Sequence, residues 1–243
     1  MSPFKKTDLL WLLSIAAGVV LRLWQYFINR SFSADESSLA FNLATRSFSG
    51  LTQPLDYQQG APIGFLFIEK TALLVMGNNE YALRFFPLLC GILAMLLLYI
   101  IAKKHFNASG LFAVFAFSIG WNLVYFSSEL KQYSSDVFIA LLLIYLASRC
   151  VDETIRAGDF LLLGVCGALA IWISHPSFFI LAGIGLLLLI EKRARKEHGF
   201  LKVKQFFNAN AANDAREREF FFFAQIRSIR AFRVEGFQTL RKP

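Results

Sequence analysis

Apolar runs with almost no charge recur along this chain, at residues 9–28, 85–102, 110–126, 137–150, 160–174 and 177–190. A helix of about 20 apolar residues crosses the hydrocarbon core of a bilayer, with about 17 as the lower limit. Such a helix satisfies its own backbone donors and acceptors, which an open strand in lipid does not. Several of the runs sit at or just below that threshold and borrow flanking residues. Composition agrees, since 56% of the residues are hydrophobic and 17% charged, where a soluble domain carries about 25% charged residues. The expected fold is an all-α multi-pass membrane protein with about six transmembrane helices. Disorder, a collagen-like fibre and a secreted disulfide scaffold are excluded on the same grounds.

A shorter apolar run covers 62–76, and its 15 residues include Glu69 and Lys70. At 1.5 Å per residue it reaches only about 22 Å, so it is expected as an outer-loop interfacial or re-entrant helix. Charge placement supports that choice. With six spans and a cytoplasmic N-terminus, Lys5, Lys6, Lys103, Lys104, Arg149, Arg156 and the basic cluster at 192–196 all face the cytoplasm. Only Arg30, Arg46, Lys70 and Lys131 fall outside, with Arg84 at a boundary, in keeping with the positive-inside rule. A seventh span over 62–76 would put Lys103 and Lys104 outside. A cleaved leader fits less well than a retained first span, because Arg22, Trp24 and Asn29 separate the apolar stretch from the small residues near Ser33.

The net charge of +8 is not a nucleic-acid signal, since 13 of the 25 Lys and Arg lie after residue 190. Cys90, Cys150 and Cys166 lie in or beside apolar runs without a C-x-x-C pair, and read as small buried hydrophobes. There is no glycine-rich phosphate loop, no H-E-x-x-H and no G-x-S-x-G.

The remaining ionisable residues gather on the outer face. Asp35 and Glu36 follow the first span, and Asp56 lies in the same loop. Glu129, Lys131, Tyr133 and Asp136 lie between the third and fourth spans, and His175 between the fifth and sixth. Arg22, near the outer end of the first span, either joins them or snorkels. Polar groups at a hydrocarbon boundary need a partner or a purpose, although an acidic pair after a span is commonly solvated loop and His175 before Pro176 suits a helix start.

The order of these segments resembles a known family. It runs from an arginine late in the first span through Ser33-Ala34-Asp35-Glu36 to Gln59-Gly60-Ala61-Pro62. Asn79-Glu80-Tyr81-Ala82-Leu83-Arg84-Phe85-Phe86-Pro87 follows, and then Tyr125-Phe126-Ser127-Ser128-Glu129-Leu130-Lys131-Gln132-Tyr133. This is similar to the N-terminal half of the GT-C membrane glycosyltransferases, in the protein mannosyltransferase and aminoarabinose transferase branch, over roughly residues 8–195. The resemblance implies transfer of a sugar from a polyprenyl-phosphate donor to a glycan, lipid or protein acceptor on the periplasmic, extracellular or lumenal face of a plasma membrane. It implies Asp35 as catalytic base with Glu36 beside it, and Lys131, Glu129, Tyr133, His175 and Arg22 as residues that bind substrate or phosphate. Lys131 stands where this branch commonly shows arginine, and lysine lacks arginine's bidentate fork. Some members of the wider superfamily use a divalent metal, and no spacing here demands one.

Relatives continue through further spans. The transmembrane domain is expected over 1–199, followed by a basic cytoplasmic tail over 200–243, amphipathic or arising from truncation in a shifted frame. A transporter or lipid-carrier flippase is the alternative. It would place ionisable groups near mid-span.

Overall fold

The computed structural model describes residues 6–151 and 156–197. Nine helices account for most of them: α1 (Lys6–Ile28), α2 (Ala34–Thr45), α3 (Ile63–Met76), α4 (Glu80–Phe106), α5 (Gly110–Ile119), α6 (Trp121–Phe126), α7 (Tyr133–Arg149), α8 (Ala157–Ile173) and α9 (Ser177–Glu197). The described residues contain no strand. The chain divides into two compact units, Met1–Leu186 and Leu187–Pro243. The first holds α1 to α8 and the start of α9. Of the second, only the end of α9 is described, and the expected tail over 200–243 lies outside the described residues.

Within the first unit α4 is the central helix, packed against α1, α3, α5 and α7. Its buried positions Arg84, Pro87, Leu88, Gly91, Ala94 and Met95 recur every three to four residues, the period that lines one face of a helix. Small residues set the spacing of its neighbours. A Cβ on Gly110 would stand 2.8 Å from the Ala102 carbonyl oxygen, and one on Gly91 2.6 Å from Ser127 Cβ. Helices that lack a hydrophobic driving force toward one another in lipid approach through such positions. Outward, α1 bares Leu12, Leu13, Val20, Trp24 and Phe27, and α8 bares Leu161, Leu169 and Trp172.

Of the six expected spans, two are matched by stretches long and apolar enough to cross a membrane: Thr7–Ile28, and Glu80–Ile119 running through α4 and α5. Length explains α7 and α8, and charge explains α9, whose 21 residues include Glu191, Lys192 and Arg193. The helices α7 and α8 have 17 residues each, close to the lower limit for a span. The run expected over 110–126 is broken at Gly120, where ψ of 113° ends α5 and starts α6. The 62–76 run forms α3, which packs on α2, α4 and α8. A buried cluster of Leu39, Leu43, Leu51, Phe65, Leu66, Leu73, Leu83 and Leu130 ties α2 and α3 to the start of α4 and to the 127–132 turn. That cluster is the floor on which the candidate site stands.

Candidate active site

The site begins with a helix start. Ser33 caps α2, and Ser33-Ala34-Asp35-Glu36 forms a capping box: the Glu36 amide donates to Ser33 Oγ at 3.2 Å and the Ser33 amide donates to Glu36 Oε2 at 3.0 Å. This arrangement separates two carboxylates adjacent in sequence. Glu36, at the third helical position, turns inward and is fully buried, while the Asp35 carboxylate is 73% exposed.

Both oxygens of Glu36 are fully engaged. Oε2 also accepts from Arg30 Nη1 at 3.0 Å. Oε1 accepts from Arg84 Nη2 at 3.3 Å and from the Leu130 amide at 3.1 Å. Four donors occupy the roughly four lone-pair positions of a carboxylate. Burial pushes this carboxyl up, but the Ser33 and Leu130 amides with Arg84 and Arg30 outweigh it and hold it below the usual glutamate range. Glu36 is thus the knot joining α2, α4 and the 127–132 turn. Its two cations are held in turn: the Arg30 guanidinium lies 4.2 Å over the Tyr125 ring and that of Arg84 4.7 Å over Phe32. Arg84 Nη1 further donates to the Arg30 carbonyl at 2.7 Å and Asn29 Oδ1 at 3.1 Å.

The knot presents Asp35 to Lys131. The largely buried ammonium of Lys131 lies 3.7 Å from Asp35 Oδ2 and donates to Gln59 Oε1 at 3.0 Å. Glu129 stands beside them, nine-tenths buried, with Oε2 lacking a hydrogen-bond partner. Burial first, and then the Glu36 and Asp35 carboxylates, hold the Glu129 carboxyl above its ordinary range against the pull of Arg30 and Lys131. An exposed carboxylate, a half-sequestered cation and a buried carboxyl of raised proton affinity therefore share one locus.

A cleft of about 310 Å³ is bordered by Phe126 and Tyr133, the residues that flank the same turn. Ala94, Phe117, Leu123, Phe126 and Val137 give it an apolar wall, and Asn122, Tyr133, Ser134 and Asp136 a polar edge. The Phe126 and Tyr133 rings pack at 4.7 Å between centroids, tilted by 51°. Arg22 reaches this cleft but is itself buried: Nη1 donates to the carbonyls of Gly18 at 3.0 Å and Ser118 at 3.2 Å, and Nη2 to that of Phe117 at 3.2 Å. The last carbonyls of α5, released by the break at Gly120, are its partners. Asp136 of α7 faces Ser174 and His175 in the α8–α9 turn. The structure thus gathers Asp35, Glu36, Glu129 and Lys131, lines the cleft with Arg22 and Tyr133, and sets His175 beside Asp136. Among the described residues no three His, Cys, Asp or Glu side chains gather to hold a metal ion.

Arg30, Arg84 and Gln59 are the residues that the sequence reading passed over. The S-x-x-E capping pattern was the signal for Glu36, and with it for the buried cations a saturated carboxylate needs.

Residues 60–207 match the family model for dolichyl-phosphate-mannose-protein mannosyltransferase, well over half of the chain. The chain belongs to this family. Neither the comparison with curated proteins nor that with solved structures returns a match. The chemistry of the family is glycosyl transfer at a membrane from a lipid-linked sugar. Family membership covers Glu129, Lys131, Tyr133 and His175, whereas Arg22, Asp35, Glu36 and Gln59 precede the matched stretch.

Proposed function

We propose that this chain carries the catalytic face of a membrane glycosyltransferase that uses a polyprenyl-phosphate sugar on the outer or lumenal side, with Asp35 as the base. The observation that carries the reading is the exposed Asp35 carboxylate set 3.7 Å from the largely buried Lys131 ammonium. Asp35 takes the proton from an acceptor hydroxyl as its oxygen attacks the anomeric carbon. The bond from that carbon to the phosphate oxygen breaks, and the electron pair leaves with the polyprenyl phosphate. Lys131 stabilises the charge that grows on the departing phosphate. Glu36 fixes α2 and, having no free lone pair, takes no part in the proton transfer. The apolar cleft beside Phe126 and Tyr133 holds the first part of the lipid chain, so the phosphate lies at the turn between cleft and charge cluster.

The test is the purified chain in proteoliposomes supplied with dolichyl-phosphate mannose labelled in the sugar and a membrane extract as acceptor. The expected result is covalent label in a glycan, lipid or protein, with dolichyl phosphate released. Movement of the intact donor across the bilayer without covalent product would favour the transporter alternative, against which the family match already weighs.

A further inference from the structure

We propose that Gln59 is a positioning residue for the donor phosphate, holding the Lys131 ammonium at the mouth of the site through its side-chain carbonyl. This rests on the reading of Lys131 given above.

Three observations carry it. Gln59 Oε1 accepts from Lys131 Nζ at 3.0 Å, whereas the Asp35 carboxylate lies farther off, at 3.7 Å. Of the two contacts, the neutral amide is the shorter, so the ammonium is directed without being neutralised. An ammonium has three donors, so with one given to Gln59 and a second turned to Asp35 a third is left for an incoming oxygen.

The second observation is strain. Gln59 ends a turn in which two successive non-glycine residues, Tyr57 and Gln58, have φ of 61° and 54°. Left-handed backbone at side-chain-bearing residues persists only where its surroundings over-determine it, and it gathers at functional sites. Both residues are exposed, so burial in a core does not account for the turn.

The third is the grip on that turn. Fully buried Asn42 accepts from the Asp56 amide at 2.9 Å and donates to the Asp56 carbonyl at 3.3 Å, while Arg46 pairs with the Asp56 carboxylate at 2.9 Å. Helix α2 therefore carries Asp35 at its start and clamps the Gln59 turn through Asn42 in its last turn and Arg46 at its C-cap. One rigid element thus sets both neighbours of Lys131.

The experiment is a double-mutant cycle on the full chain in proteoliposomes, with dolichyl phosphate as the probe, so that neither sugar nor acceptor need be known. Gln59→Leu is expected to weaken binding about tenfold, the scale of a hydrogen bond to a charged group. Lys131→Met is expected to weaken it at least as much, and the double variant no further than Lys131→Met alone. Gln59→Glu keeps the size and an acceptor but cancels the ammonium's charge, and is expected to bind more weakly than Gln59→Leu. A merely structural role would place Gln59→Glu closest to wild type. Multiplying effects of Gln59→Leu and Lys131→Met, unchanged binding in Gln59→Leu, or rescue by Gln59→Glu would each overturn the inference. Unchanged binding in Lys131→Met would instead overturn the role given to Lys131.

Discussion

Two buried glutamates make opposite predictions. Glu36 is held by four donors, two of them on guanidinium groups, so Glu36→Gln breaks a buried network and is expected to cost about 3–5 kcal/mol. The sign with pH follows from its depressed proton affinity. A carboxyl bound more weakly by protons when folded contributes its full stability above the unfolded value near 4.3. That contribution is lost as pH falls through the lower folded value. Thermal unfolding of the wild type between pH 6 and pH 3 is therefore expected to fall more steeply than that of Glu36→Gln; parallel curves would contradict the assignment. Glu69 is fully buried in α3 with neither oxygen hydrogen-bonded. Losing no partner, Glu69→Met is expected to raise stability by about 1–3 kcal/mol, the cost of one unsatisfied buried polar group. A lowered melting temperature would show that Glu69 has a partner or a duty.

At the scale of elements, close approach decides what a substitution does. A Cβ on Gly64 in α3 would stand 2.6 Å from the Trp172 carbonyl oxygen in α8. Backbone cannot yield there, and Gly64→Ala is expected to cost about 1–3 kcal/mol. A Cβ on Gly18 would meet the flexible thioether of Met95 first, so Gly18→Ala should be the milder change in the same unfolding assay. The helices other than α2 were legible as apolar runs, since hydropathy reads the one requirement lipid imposes, whereas the polar stretch 34–45 read as loop and forms α2. The break between α5 and α6 was not legible. A glycine inside an apolar run costs only about 1 kcal/mol against alanine, and what fixes the break is Arg22 taking the Phe117 and Ser118 carbonyls. That partner lies some hundred residues upstream of its acceptors, beyond the reach of local patterning. The sequence put Asp35 and Lys131 among the same candidate residues, and the structure sets them 3.7 Å apart. The Gln59 bond was not legible, because it hangs on two left-handed residues with no glycine or asparagine to announce them.

For the whole molecule, family membership and the apolar faces of α1 and α8 set the chain in a membrane, and the orientation remains a proposal carried by lysine and arginine placement. Single cysteines at Ser47 and at Lys104, in a background of Cys90, Cys150 and Cys166 replaced by alanine, are expected to react with a membrane-impermeant maleimide from opposite sides. Ser47 should label from outside and Lys104 only after permeabilisation; labelling of both from one side would contradict the topology. The role of Asp35 is decided by comparing sugar transfer by Asp35→Asn with that of the wild type. In proteoliposomes with dolichyl-phosphate mannose, sugar transfer is expected to fall about 10²–10⁴-fold, the usual worth of a positioned base. Dolichyl phosphate binding should stay within about twofold, because asparagine keeps the shape and Lys131 keeps its charge. Transfer undiminished in Asp35→Asn would contradict the account.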